Sequence, residues 1–308
     1  MKRYAREISV LGVLLLLLCF LAWRAPDFFQ AQPLRSLLTR EAPALVVACG
    51  MALVIMTRQI DISVGSQFSV CSVVAGLLAA EGFSISVVTM LAVALGSVLG
   101  ALNGFLVAAL GLPSIVVTLG TLVALRQGLN LVRQGEFVNL PDQFQWLGQS
   151  QGWGQNALLA VAVLVVVTLS WTLRHVAVGR YVYAVGSDGE AARLSGIRPK
   201  RVTFGVFVLL GALTGLAAVM NVVQSPQVQP LSGLGLELKV IAAAVVGGVA
   251  ISGGRGNLWG VFFGLLLLAC VSPAMIHLRI EAYWEKAIQG GIILLAVAAE
   301  GLRGRNQA

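Results

Sequence analysis

The sequence has few charged residues. Aspartate, glutamate, lysine and arginine make up 11% of it, whereas a typical soluble domain carries about 25%. No polar stretch is long enough to form a soluble domain of its own. Hydrophobic residues make up 58% of the chain and the mean hydropathy is +0.89, too much apolar surface for one soluble core. The composition therefore predicts an all-α, polytopic membrane protein in which residues 1–308 form a single transmembrane domain.

Residues that carry catalysis or bind metals are also scarce. The two histidines, His175 and His277, stand alone near the ends of apolar runs. The four cysteines lie inside apolar runs without metal-ligand spacing: Cys19, Cys49, Cys71 and Cys270. The chain has no Walker lysine and no pairing of a nucleophile with a base. These absences predict that the protein is not an enzyme and holds no cofactor and no metal.

Apolar runs dominate the chain, and there are about ten of them, several short or rich in glycine. They cover residues 8–23, 42–57, 66–80, 87–110, 113–131, 157–173, 201–221, 235–251, 257–276 and 285–300. With a cytoplasmic N-terminus, the loops on the inside hold roughly twice as many lysines and arginines as the outside loops, as the positive-inside rule requires. An even number of spans then places both termini in the cytoplasm.

Two runs share a spacing of glycines. Gly96, Gly100 and Gly104 are each four residues apart, and the same spacing recurs 160 residues later, from Gly256 through Gly264. A proline follows nine residues after each set. In the predicted topology the two helices run in opposite directions, as in a transporter built from an inverted repeat. Chance in a chain with 35 glycines is the alternative. In either case, small residues four apart allow helices to pack closely.

Residues 179–201 form a polar stretch between two apolar runs. Ser187 and Glu190 have the spacing of a capping box at the start of a helix. Gly196 stands where a left-handed C-terminal cap is expected, and Pro199 blocks continuation. The intervening helix is too short to be stable alone. The pattern indicates either a docking helix on the cytoplasmic face or an ordinary surface loop.

Polar residues also lie within or beside the apolar runs. Asp61 and Ser63 lie between the second and third runs, where a solvated turn with a helix cap is the plainer interpretation. Further polar residues share a face of the fifth run or lie in the run before it, and polar groups in a membrane tend to face a bundle interior or a water-filled path. The predicted path residues are Asn103, Ser114, Thr118, Thr121, Gln127 and Asn130. Hydrogen bonding between helices alone is the alternative.

The glycines around Arg255 lack the strand-to-helix setting and the lysine of a phosphate-binding loop, so a tight turn is predicted there. Together with the segments 58–66, 111–121 and 186–197, the segment 235–256 resembles the permease subunits of bacterial ATP-binding cassette (ABC) importers for ribose, xylose, rhamnose and autoinducer 2. The resemblance covers nearly the whole chain.

The resemblance implies that residues 179–201 are the segment that couples the permease to an ATP-binding cassette subunit. The coupling residues carried over by position are Gly186, Glu190, Ala191, Ala192, Arg193, Ser195 and Gly196. Asp188 and Gly189 fall where the family varies. The other implied partners are a periplasmic sugar-binding protein and a second permease subunit, identical or related. The implied location is the bacterial inner membrane.

The function expected from this resemblance is a permease that forms the path for a monosaccharide or similar small polar solute, with energy from a separate ATPase. A branched-chain amino acid or nucleoside importer would have the same architecture. An ion-coupled secondary transporter would need acids embedded in the membrane. Asp61 and Glu237 are the candidates, and both are predicted to lie near the ends of spans.

Overall fold

The structure is a computed structural model that describes residues 5–24, 26–142, 144, 153–279, 281, 284, 287–288, 290–292 and 294. In these ranges the helices are α1 (Ala5–Arg24), α2 (Ala31–Met56), α3 (Val64–Ala80), α4 (Ile85–Gly104), α5 (Ser114–Arg133), α6 (Trp153–His175), α7 (Ala177–Ser187), α8 (Gly189–Leu194), α9 (Pro199–Val222), α10 (Leu236–Val246), α11 (Leu258–Ala269) and α12 (Val271–His277). A 3-10 turn (Pro26–Phe29) precedes α2 and a π-helical turn (Phe105–Ala109) follows α4. Two short strands, β1 (Val138–Asn139) and β2 (Gln227–Val228), pair antiparallel.

The predicted all-helical class is confirmed for the described residues. Within the described residues, six helical stretches are long and apolar enough to cross a membrane. They are Ala31–Met56, Ile85–Ala109, Ser114–Arg133, Trp153–His175, Pro199–Val222 and Leu258–Ile276. Residues 1–4 and most of the predicted run 285–300 lie outside the described residues. The count of ten spans and the position of the termini therefore stay predictions.

Helix α2 forms the centre of the core. Every residue from Glu41 to Thr57 is buried, and α6, α9, α10 and α11 all pack against this helix. A helix that is apolar on all sides can be enclosed by other helices or face lipid, and the burial of α2 shows that it is enclosed. A second, smaller cluster joins α1 to α11 through residues such as Leu21 and Leu267.

Glycines bring α4 and α9 into close contact. A Cβ atom at Gly96 would overlap the carbonyl oxygen of Gly211, and one at Gly100 would overlap that of Phe207. In the second glycine set, Gly260 and Gly264 lie in α11 and pack on α10, whereas Gly256 lies in the turn before it. The structure thus gives these glycines a packing role. The inverted repeat stays a prediction.

Two irregular segments separate consecutive helices, at places where the sequence shows gaps between apolar runs. Between α2 and α3, residues 57–63 are not helical, and between α9 and α10 residues 223–235 are likewise irregular apart from β2. The predicted run 235–251 contains an 11-residue helix, α10, because Gly247 and Gly248 end it. Eleven residues rise about 16 Å, roughly half of a hydrocarbon core about 30 Å thick. The prediction of a full span there was wrong in length.

Candidate functional site

The short helix predicted after residue 187 is present as α8, but its N-cap is Asp188 rather than Ser187. The Asp188 Oδ1 atom accepts hydrogen bonds from the backbone N–H groups of Glu190 (2.9 Å) and Ala191 (3.0 Å). These bonds, from Ala191 first and Glu190 second, hold the pKa of Asp188 below its ordinary value. Ser187 is instead the last residue of α7. The predicted capping box is therefore wrong, and the Glu190 carboxylate pairs with Arg193.

The predicted C-terminal cap is confirmed. Gly196 has a φ of +83°, its N–H donates to the Arg193 carbonyl (3.0 Å), and the Ile197 N–H donates to the Ala192 carbonyl (3.0 Å). This pair of bonds is a Schellman motif, which glycine favours because it lacks a Cβ. Pro199 then begins α9 at a position where its missing N–H costs nothing.

The coupling residues implied by the resemblance divide into an exposed and a buried set. Gly186 and Ala192 are buried against the rest of the chain. The others are exposed on the outer side of α8 and its C-terminal cap: Glu190, Ala191, Arg193, Ser195 and Gly196. Leu194 is also exposed, at 78%, and sequence reasoning missed it. Its position one residue before Ser195 in a docking helix was the available indication.

The end of α7 is fixed to two other parts of the chain. A Cβ atom at Gly186 would overlap the Met56 carbonyl oxygen at the end of α2, so only glycine fits this approach. That same carbonyl accepts a hydrogen bond from the Gly254 N–H (2.9 Å) in the turn before α11. The Tyr183 hydroxyl donates to the Gly256 carbonyl (2.9 Å). The glycine-rich segment around Arg255 is thus a tight turn, as predicted, and it stabilises the end of α7 through these contacts.

Residues 58–63, here named the strap, lead from this junction along α5. The Arg58 Nε donates to the Gly186 carbonyl (2.6 Å), and its Nη2 donates to the Ser187 carbonyl. Further on, the Ile62 N–H donates to the Thr118 hydroxyl (3.1 Å). A partly buried backbone without regular secondary structure needs such partners, because it has no helix or sheet hydrogen bonds of its own.

The strap ends in a buried polar cluster around Asp61. The Asp61 Oδ1 accepts from the backbone N–H (2.9 Å) and hydroxyl (2.6 Å) of Ser63. Its Oδ2 accepts from the amides of Gln67 (3.1 Å) and Asn103 (3.2 Å). The Asn103 Oδ1 in turn accepts from the Thr121 hydroxyl (2.7 Å). The Asp61 carboxylate is fully buried, and four donors offset the cost of removing it from water.

The predicted path residues fall into two groups. Asn103 and Thr118 are fully buried and Ser114 nearly so, and all three bond to the strap or its polar cluster. Thr121 is half-buried in the same network. Gln127, which is exposed, and Asn130, which is half-buried, form their own hydrogen bond (3.3 Å) toward the far end of α5. A role of these residues in a path stays a prediction.

Two ion pairs hold the first turn of α10 and were not predicted. Arg126 on α5 lies 3.3 Å from the Glu237 carboxylate, and Lys239 lies 2.6 Å from the Glu41 carboxylate on α2. Both carboxylates are nearly buried, where an unpaired charge would be costly. The half-length helix is therefore tied to two neighbours. Among the described residues, no three side chains of the metal-binding types lie together.

The chain has a core built around one buried helix, several long apolar helices and a small exposed helix with both ends capped. These features define a multi-pass membrane protein. Residues 34–297 match the family described as "Branched-chain amino acid transport system / permease component". The chain belongs to this family. It is the permease component of an ABC importer and has no catalytic role of its own.

Curated relatives resemble the chain over nearly its whole length. The autoinducer 2 import system permease protein LsrC of Enterobacter sp. (strain 638) is 34% identical over 297 residues, which cover 96% of this chain and 87% of the relative. The ribose import permease protein RbsC of Escherichia coli (strain K12) is 32% identical over 304 residues, covering 97% and 95%. No solved structure matches the chain.

Proposed function

We propose that this chain forms the translocation path of a bacterial importer for a monosaccharide or a similar small polar solute. The observation that carries the proposal is α8, a six-residue helix with both ends capped and its outer side exposed. Such a helix is too short to be stable alone. Here it is seated on α7, whose end is fixed to α2 through Gly186. This arrangement suits a docking helix to which an ATP-binding cassette subunit binds.

The solute class is supported by the relatives, whose names specify autoinducer 2 and ribose. The family description names branched-chain amino acids instead, which keeps that solute as the second candidate. The polar side chains toward the far end of α5, the exposed Gln127 and the half-buried Asn130, suit weak contacts with hydroxyl groups rather than with an apolar side chain. This chemistry favours the polar solute.

The proposal includes about ten membrane spans with an inverted repeat, both termini in the cytoplasm, and a location in the bacterial inner membrane. The partners proposed are an ATP-binding cassette subunit at α8, a periplasmic sugar-binding protein on the opposite face, and a second permease subunit. That subunit is either identical or related. Closure of the ATPase subunits would move α8 and tilt the helices beside it, α6 near Trp171 and α9 near Thr203.

Orientation is tested with two variants that each carry one exposed thiol, in a chain whose exposed Cys19 is replaced by serine and whose other three cysteines are buried. In intact spheroplasts, a membrane-impermeant maleimide should spare a thiol at Ser195 of α8 and label one at the exposed Gln227 of β2. Labelling at Ser195 in intact cells would overturn the docking proposal.

The solute is tested in proteoliposomes that contain the full importer, with radiolabelled ribose and leucine added separately in the presence of ATP. ATP-dependent accumulation of ribose without leucine supports the sugar class, and the reverse result supports the amino acid alternative. Accumulation that needs an ion gradient and no ATPase subunit would refute both.

A further inference from the structure

Arg58 occupies a position at which glycine is the usual residue. Helix α2 ends in a Schellman motif, in which the Arg58 N–H donates to the Ile55 carbonyl (2.9 Å) and the Gln59 N–H donates to the Val54 carbonyl (3.1 Å). Arg58 has a φ of 63°, in the left-handed region, which the Cβ of any residue except glycine disfavours. The backbone alone thus favours glycine, and the arginine side chain supplies contacts that glycine could not.

Those contacts lie directly before the N-terminal end of α8. The Arg58 guanidinium donates to the carbonyl oxygens of Gly186 and Ser187, the last two residues of α7. Terminal carbonyls have no partner within their own helix, and a positive charge at this end also interacts favourably with the helix dipole. The next residue, Asp188, is the N-cap of α8. Arg58 therefore binds the joint between the two helices of the coupling segment.

The other end of the strap is held by α4 and α5. The Ile60 and Ile62 N–H groups donate to the hydroxyls of Ser114 (3.3 Å) and Thr118 (3.1 Å) on α5. At Ser63, the strap bonds to Asn103 at the end of α4 (2.8 Å). The five residues after Arg58 span at most about 17 Å when extended. The strap is thus a short connection with hydrogen bonds at both ends, between the coupling segment and the predicted path helices.

We infer that the strap transmits displacement of α7 and α8 to α4 and α5, and that Arg58 and Thr118 are positioning residues for coupling. The inference rests on the proposed function, in which α8 binds the ATPase subunit. One strap residue, Arg58, makes two hydrogen bonds to the coupling segment, and Ile60 and Ile62 bond to α5, so only Gln59 lies between the two sets of contacts. A displacement of Gly186 therefore moves the strap and α5 with it, because too little unbonded chain lies between them to change conformation instead.

The test uses two variants that each release one end of the strap, and their combination. Arg58→Gly keeps the left-handed backbone and removes both side-chain bonds. Thr118→Val keeps the side-chain shape and removes the acceptor for the Ile62 N–H. The matched controls are Arg174→Gln, an exposed arginine at the end of α6, and Thr214→Val, a fully buried threonine whose hydroxyl bonds within its own helix.

The readout needs no solute. The complex with its ATPase subunit is reconstituted from a chain that carries Cys19→Ser and Ala124→Cys, at an exposed position on α5. The other three cysteines are buried, so the reporter is the accessible thiol. The rate at which a water-soluble maleimide modifies this thiol is measured with and without ATP plus vanadate. Binding of the ATPase subunit and the melting temperature are measured on the same samples. If Thr118→Val fails to fold, Ser114→Ala removes the neighbouring strap contact instead.

In the parent chain and both controls, we expect ATP plus vanadate to change the modification rate about tenfold, within the usual range of coupling between sites. Arg58→Gly and Thr118→Val should each abolish the change while the ATPase subunit still binds. The double variant should be no worse than either single one, because both act on one connection.

A rate change that persists in both single variants overturns the inference, as do partial losses that add up in the double variant. Absence of a rate change in the parent chain despite a bound ATPase subunit also overturns it and leaves the docking proposal standing. Failure of the parent chain to bind the subunit overturns the proposed function, and the inference with it.

Discussion

Leu194 is the side chain of α8 with the most apolar surface to offer a partner. It is 78% exposed. It follows directly after Arg193, and the other exposed residues of this helix are small or charged. Burying a whole leucine side chain contributes about 2 kcal/mol, and burying the exposed part of this one contributes roughly 1.5 kcal/mol. If α8 inserts into a groove of the ATPase subunit, Leu194 should be the anchor of that contact.

The prediction is that Leu194→Ala weakens binding of the ATPase subunit about tenfold, since roughly 1.4 kcal/mol corresponds to a factor of ten in Kd. The assay is titration of the purified permease in detergent with its labelled ATPase subunit. Leu131→Ala is the matched control, because Leu131 is equally exposed, at 78%, but lies at the far end of α5. An unchanged Kd for Leu194→Ala, or an equal loss for Leu131→Ala, would refute the reasoning.

Three further predictions concern the seat of α8 and the ion pair at α10. Gly186→Val should push α7 away from α2 and lower the yield of folded protein, whereas Gly189→Val, where a Cβ meets nothing within 4 Å, should leave the yield nearly unchanged. The pKa of Asp188 is depressed in the fold, so the cap stabilises α8 fully above the ordinary aspartate pKa, and this stabilisation is lost as the pH falls through the folded pKa. Amide exchange in α8 should therefore accelerate at acidic pH. Asp188→Ala should remove this pH dependence. Arg126→Leu should lower the melting temperature by leaving the Glu237 charge buried, and adding Glu237→Gln should recover part of the loss, unlike two independent changes.

The sequence predicted α8 well because its ends depend on local chemistry. Gly196 was identified as the C-terminal cap because a left-handed residue after a short helix is usually glycine. The N-cap was misplaced by one residue, because Ser187 and Asp188 are both good caps and only the length of α7 decides between them. That length could not be predicted, since glycine disfavours helices and α7 contains Gly179 and Gly186. Both are present because Thr172 and Met56 approach too closely for a side chain.

The strap and its contacts could not be predicted, because they depend on distant parts of the chain. Ser114, Thr118 and Thr121 were expected on one face of α5, and they bond there, Ser114 and Thr118 to the strap and Thr121 to Asn103. The partner segment was interpreted as a solvated turn, since hydropathy shows that Asp61 interrupts an apolar region but not where the chain goes next. Likewise, hydropathy counted 235–251 as a span, although two glycines end α10 after eleven residues.

The buried acids bear on the source of energy for transport. An ion-coupled carrier needs an embedded carboxylate that exchanges its ion during the cycle. Asp61 and Glu237 are both buried more deeply than their positions near span ends suggested. Asp61 accepts four hydrogen bonds from Ser63, Gln67 and Asn103, and Glu237 is paired with Arg126. Acids so bonded stabilise interrupted backbone between helices, and releasing them in every cycle would break the connections that hold the strap and α10. Their chemistry is that of fixed structural groups, which agrees with a permease that takes its energy from a separate subunit.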